Sequence, residues 1–135
     1  MAADLDERLV RRYYVDAWNR WDDAVVDTLL AEDFSFRGSL GDEVVGPDGW
    51  RGYRDMVRQA APDFHNEIVD LIAAAGRVAV RLRYSGHHHG GLLGYPGRGQ
   101  RFEYSGAAFF RCSGERISSA WVLGDIDALR RQLGT

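Results

Sequence analysis

The strongest constraint on the fold lies in the C-terminal half. Between residues 64 and 124 the sequence reads as four segments of period two, 64–74, 77–89, 100–112 and 116–124. In the second, Val78, Val80, Leu82 and Tyr84 share one face, and Arg81, Arg83 and Ser85 share the other. The first two segments meet at AAAGR (73–77), and the last two at the tight turn SGE (113–115). Strands joined so tightly pair antiparallel. Segments of ten or more residues exceed the usual strand of about five or six. Strands that long bend, and a bent sheet with helices laid across it makes a cone around an internal pocket.

The N-terminal half supplies those helices. Leu5, Leu9, Tyr13 and Ala17 recur at a spacing of four, with Val10, Tyr14, Trp18 and Trp21 beside them, so 4–21 reads as one helix with an aromatic stripe. Residues 22–30 read as a second short helix, 33–37 as a short strand and 38–46 as a loop or weak hairpin. Pro47 suits a first helical position, and Trp50, Tyr53, Met56 (or Val57) and Ala60 make one face of a third helix, with Pro62 just beyond its end. A short helix over 126–133 closes the chain. The expected class is α+β: a cone-shaped barrel in which three N-terminal helices pack on a highly curved, mostly antiparallel sheet that encloses an apolar cavity. No repeat or linker divides the 135 residues, so 1–135 reads as one domain.

Composition excludes several classes. All 17 basic residues are arginine, so no lysine is present for Schiff-base chemistry. A net charge of −3 with scattered arginines argues against a nucleic-acid partner, whose footprint is a basic face. No run approaches the roughly 20 apolar residues that span a bilayer. The charged start MAADLDERLVRRYY lacks the apolar core of a secretory signal, so a cytoplasmic protein is the expectation. The lone Cys112 forms no internal disulfide and reads as a strand-end thiol.

Several residues stand out as candidates for chemistry. Asp125 ends the apolar run Trp121-Val122-Leu123, just before the terminal helix. Two roles are open to it: a cap on that helix, or a working acid in a cavity, where burial raises its pKa toward useful proton transfer. If no bulge intervenes, Ile117, Ser119, Trp121, Leu123 and Asp125 share a face, and Trp121 and Asp125 line one wall. Tyr14 and Trp18 share a helix face, and with Trp50 and Tyr53 they form an aromatic pocket wall whose tyrosine hydroxyls can donate to a carbonyl. The alternative for such a stripe is plain core. His65, at a strand start, is a substitute base or a structural histidine. In HHH (87–89), neighbours point to opposite faces and no third ligand stands out, so no metal site is expected. His88 has the inward parity of Tyr84. GLLGYPGRG (91–99) reads as a flexible lip rather than a phosphate loop.

Three stretches together resemble the SnoaL-like polyketide cyclases, within the nuclear-transport-factor-2-like and ketosteroid-isomerase-like fold group. They are GWRGYRDMVRQAAPDFHNEIVDLIAAAGRVAVRLRYSG (49–86), GAAFFR (106–111) and ISSAWVLGDIDALRRQLG (117–134), and the likeness runs over most of the chain. The resemblance implies a small-molecule substrate, no cofactor, and an aspartate on the last strand as acid/base, which corresponds to Asp125. It also implies a histidine in the strand before, where this chain has Ala108. A cyclase that works mainly by folding its substrate tolerates that loss. Members of the fold group often dimerise through the outer sheet face. Phe102, Ala107, Ala108, Phe109 and Phe110 make 102–111 apolar on both faces, which fits a homodimer.

Three functions are therefore in play. The first is a cofactor-independent cyclase or isomerase acting on a polyketide-like or polycyclic carbonyl compound, with Asp125 as acid/base and His65 as a second candidate. Substrate contacts would come from Tyr14, Trp18, Trp50, Tyr53, His88, Ala108 and Trp121. The second is an epoxide hydrolase or hydratase of the same fold, which needs an arginine such as Arg83 beside the acid. The third is a non-catalytic small-molecule binding protein, with Asp125 outside the cavity. The position of the Asp125 carboxylate relative to the pocket separates them.

Overall fold

The structure, a computed structural model, describes residues 2–134. Helix α1, Ala2–Arg12, does not continue as an α-helix to residue 21. It widens into a π-helical stretch over Tyr13–Asn19, with Arg20 N–H donating to Val15 O at 3.1 Å. The wider turn sets Tyr13, Tyr14, Ala17 and Trp18 side by side, and all four are buried. The expected second helix is a 3₁₀ turn, Asp23–Val25, followed by the single turn α2, Val26–Leu29. The Asp22 side chain caps the 3₁₀ turn by accepting from Ala24 N–H at 3.0 Å. Strand β1, Leu30–Arg37, starts three residues before the expected strand, and β2, Glu43–Val45, pairs with it as a short hairpin. Helix α3, Gly46–Ala60, buries Trp50, Tyr53, Val57 and Ala60.

Strands β3 (His65–Ala74), β4 (Arg77–His87), β5 (Arg101–Ser113) and β6 (Arg116–Gly124) form the antiparallel meander, and α4, Ile126–Leu133, follows. The order across the sheet is β2-β1-β6-β5-β4-β3, with β1 parallel to β6. The sheet curls without closing. Its concave face carries Val78, Val80, Leu82 and Tyr84 from β4, Phe102, Tyr104, Ala108 and Phe110 from β5, and Phe34 and Phe36 from β1, all buried. Helices α1 and α3 lie across this face, and the core between the two layers is rich in aromatic rings. Phe110 meets Tyr13 and Tyr14 edge-on at 5.3 and 5.8 Å, and Tyr84 packs on Tyr104 at 4.8 Å.

A bulge in β6 overturns one expectation. Arg111 pairs with Ser119 but Cys112 pairs with Ile117, so Ser118 is an extra residue and the parity flips there. Ile117, Ala120 and Val122 are buried on the concave side. Trp121 and Leu123 are exposed on the convex side, together with Phe109. Trp121 therefore does not share a cavity wall with Ile117.

Candidate active site

A cavity lies between the helices and the concave face. It is lined by Tyr13, Tyr14 and Trp18 from the π-helical stretch, Tyr53 and Val57 from α3, and Phe36, Ser39, Phe64, Asn66, Tyr84 and Val122. About 290 Å³ is free of atoms, but a water centre can move through only about 20 Å³ of it. The aromatic rings fill most of the space themselves. No carboxylate, imidazole or guanidinium is among these lining residues.

The polar chemistry inside is phenolic. Tyr13 Oη accepts from Trp50 Nε1–H at 3.0 Å. Tyr53 Oη accepts from Leu40 N–H at 3.3 Å. Ser39 Oγ and Tyr104 Oη share a hydrogen bond of 2.9 Å. Asn66 is tied to the end of the π-helical stretch: its N–H donates to Asn19 Oδ1 at 2.8 Å, and Asn19 Nδ2 donates to Asn66 O at 2.9 Å. Tyr14 differs from these, because its hydroxyl is buried and has no hydrogen-bond partner. A buried polar group without a partner costs free energy, about 1–3 kcal/mol. Burial pushes the Tyr14 and Tyr84 phenols well above their ordinary pKa, and Tyr53 up to about 12. At neutral pH each is a neutral O–H donor.

Glycines seat two of these rings. A Cβ on Gly38 would stand 2.3 Å from Tyr53 Cζ, and one on Gly106 would stand 2.4 Å from Tyr84 Cε2. The bare backbone lets each ring lie close against it.

The residues singled out from sequence divide into two groups. Tyr14, Trp18 and Tyr53 line the cavity. Trp50 stands behind it, fully buried and 5.2 Å from the Trp18 ring. Ala108 is buried on the concave face opposite Val122, so neither strand presents a polar side chain at that step. His88 is completely buried at the end of β4, its two ring nitrogens without partners, but it does not line the cavity.

The others lie outside. Asp125 is exposed, and its Oδ1 accepts from Ala128 N–H at 3.1 Å as the N-cap of α4, so the capping geometry is the one observed. His65 is exposed and pairs with Ser85 in the sheet. Trp121 is on the convex face, with Arg37 over its ring at 5.1 Å. Arg83 is exposed and meets Glu67 and Glu103 at 3.5 and 3.4 Å rather than an acid in the cavity. His87 Nδ1 contacts Asp63 Oδ2 at 2.6 Å, and no cluster able to hold a metal ion occurs among the described residues.

Sequence reasoning missed Tyr84, Ser39 and Asn66 as lining residues. The inward parity of Tyr84 was a readable signal. Ser39 and Asn66 carried none, because a loop and a strand start have no period that tells inside from outside.

A family model of the SnoaL-like polyketide cyclases matches residues 8–133. The chain belongs to this family. Solved structures agree with the assignment. A candidate SnoaL-like polyketide cyclase from Jannaschia sp. CCS1 superposes with a TM-score of 0.90 at 15% identity, over 99% of this chain and 94% of that one. IdmH from Streptomyces antibioticus, described as a candidate polyketide cyclase, gives 0.81 at 26% identity, over 96% and 98%. AclR from Streptomyces galilaeus, described as a candidate hydroxylase, gives 0.83 at 25% identity, over 99% and 83%. No curated protein matches the sequence of this chain. Within this SnoaL-like chain, no helix among the described residues is long and apolar enough to cross a membrane.

Proposed function

We propose that this SnoaL-like chain is a cofactor-independent cyclase or isomerase for a neutral, polyketide-like carbonyl compound, and that its chemistry runs on phenol donors rather than a carboxylate. The observation that carries this reading is the buried, unpartnered Tyr14 hydroxyl in a cavity lined by neutral side chains. A carbon between two carbonyls already populates its enol, so no protein carboxylate is needed to make the nucleophile. Held folded, the enol carbon attacks a second carbonyl carbon of the same molecule. The new C–C bond forms, the carbonyl electron pair moves onto oxygen, and the enol proton ends on that oxygen. Tyr14 O–H donates to the oxygen as charge develops there. Holding both ends of the substrate together supplies part of the barrier reduction. The likeness to IdmH, described as a candidate polyketide cyclase, supports a polyketide-like substrate.

Turnover of a linear β-polyketone ester, measured from pH 5 to 9, tests the reading. The rate is expected to stay flat over that range, because the phenols keep their protons throughout it. Asp125→Ala is expected to cost about 1 kcal/mol of stability through the lost cap and to keep the wild-type rate. A rate that follows a carboxylate titration, or collapses in Asp125→Ala, would return the acid/base role to Asp125. Binding of the ester without turnover would favour a carrier, a reading supported by the lack of a titrating acid in the cavity.

The same proposal includes a homodimer through the convex face. Ile72, Phe109, Trp121 and Leu123 are 69, 56, 45 and 52% exposed there. Apolar groups gathered in this way are usually covered in solution. Sedimentation of the wild type is expected to show a dimer, and Phe109→Lys a monomer. An unchanged sedimentation coefficient in the variant would place any dimer contact elsewhere.

A further inference from the structure

The convex face of the sheet carries a concavity of its own, and strand register builds it in two rows. One row runs Ile72, Ala79, Phe109, Trp121 across β3, β4, β5 and β6. The next row, on the same strands, runs Ala74, Arg77, Arg111, Ser119. Both rows line a trough in which a water centre can move through about 490 Å³. That is room for a small molecule, since such sites commonly offer about 300–1,000 Å³. The small side chains of Ala74 and Ala79 leave the gap, and the exposed Ile72 and Phe109 stand on either side of Ala79. The Phe109 and Trp121 rings are 6.2 Å apart, and the Arg37 guanidinium lies over Trp121 at 5.1 Å.

The positive charge in the second row has no counterpart on the protein. Arg77 and Arg111 are directly opposite each other, a placement in which like charges repel. Both are exposed, and among the described residues neither guanidinium has an ion pair or a hydrogen bond. Arg83, farther along β4, meets two carboxylates instead. A local rule broken without compensation points to function. Two guanidinium forks match the two oxygens of a carboxylate, and the Ser119 hydroxyl on the same row adds a donor.

We infer that this trough is a second ligand site, for a flat aromatic carboxylate. The carboxylate sits between Arg77 and Arg111, and the rings lie over Ala79 between Ile72 and Phe109. No residue lines both the trough and the cavity, so the inference is independent of the reaction proposed above. It does bear on the dimer, because Ile72, Phe109 and Trp121 are also the proposed dimer contact. One patch cannot be covered twice. The carboxylate and a second copy of the chain therefore compete, and a ligand that binds only the uncovered face pulls the dimer apart. That consequence rests on the dimer reading; the site itself does not.

Isothermal titration calorimetry with 2-naphthoate and its neutral amide, 2-naphthamide, tests the site. The two probes share a ring system and differ in charge. The wild type is expected to bind the carboxylate about tenfold more tightly than the amide. In the double variant Arg77→Gln, Arg111→Gln that preference is expected to vanish; both side chains are exposed, so the fold is kept. Ala79→Leu fills the gap and is expected to weaken 2-naphthoate about tenfold, whereas Tyr14→Phe, in the cavity, leaves it within about twofold. A preference that persists in the double variant would overturn the inference, as would 2-naphthoate binding that Tyr14→Phe weakens and Ala79→Leu does not. Sedimentation velocity follows the competition. Saturating 2-naphthoate is expected to convert a wild-type dimer to monomer, and at the same concentration to leave a dimer of the double variant intact. A wild-type dimer that persists with 2-naphthoate bound would overturn the competition for one face. A wild type that is monomeric without ligand would sink the dimer reading alone, and the calorimetry would still decide the site.

Discussion

Tyr14→Phe is expected to lower turnover by about 10²–10³-fold and at the same time to make the protein more stable. The two effects have one cause. In the free protein the Tyr14 hydroxyl is buried with no hydrogen-bond partner among the protein's own groups, a costly arrangement for a polar group. Removing it leaves the ring in place against Tyr13 and Phe110, at 5.0 and 5.8 Å, and creates little new space. The expected gain is about 1–2 kcal/mol, within the cost of an unsatisfied buried group. In the reaction proposed above, the same hydroxyl would meet an oxygen that is gaining charge in a water-poor site, where one donor is worth about 3–4 kcal/mol. Urea unfolding and steady-state kinetics on one preparation check both signs. A variant that loses stability, or that keeps its rate, would make Tyr14 an ordinary core residue. This opposition is the usual trade between stability and function at a site that holds a polar group ready.

Trp50→Ala is expected to cost about 3–5 kcal/mol, a large share of the roughly 5–15 kcal/mol that a small domain has in reserve. Trp50 is fully buried in α3. Its indole meets Trp18 edge-on at 5.2 Å, its N–H donates to Tyr13 Oη, and the Arg54 guanidinium lies over the ring, 5.6 Å from its centre. The ring therefore joins α3 to the π-helical stretch that carries Tyr14 and Trp18. Truncation leaves a large void and takes the partner from the buried Tyr13 hydroxyl. Trp50→Phe keeps most of the volume and isolates the hydrogen bond, so it is expected to cost clearly less. Chemical denaturation followed by far-UV circular dichroism measures both. A loss below about 1 kcal/mol for Trp50→Ala would mean that the two helical segments are held by other contacts.

Much of this could be read along the chain. The period-two pattern of Val78, Val80, Leu82 and Tyr84 placed β4 and its inner face, and Pro47 with Trp50 and Tyr53 placed α3. The stripe over Tyr14 and Trp18 was visible as a wall, although the change from α to π geometry was not. A widened turn depends on what the helix packs against rather than on residue type. Trp121 and Asp125 show the opposite case. Alternation put them on one wall with Ile117, and a single extra residue at Ser118 turned Trp121 outward. A bulge leaves no clear mark in a strand of serines and apolar residues, because its position is set by pairing with β5.

The sequence by itself determined the class, the order of elements and the aromatic character of the pocket, because these follow from periodicity and composition, which are local; the family came from the resemblance of 49–86, 106–111 and 117–134. Tertiary structure alone decided which polar groups meet in that pocket. The Tyr14 hydroxyl lacks a partner because of what surrounds it, Tyr53 and Tyr84 rest on glycines far away in the chain, and Asp125 is spent on the first turn of α4. Each of these is a matter of distance and burial between residues that no spacing along the chain relates.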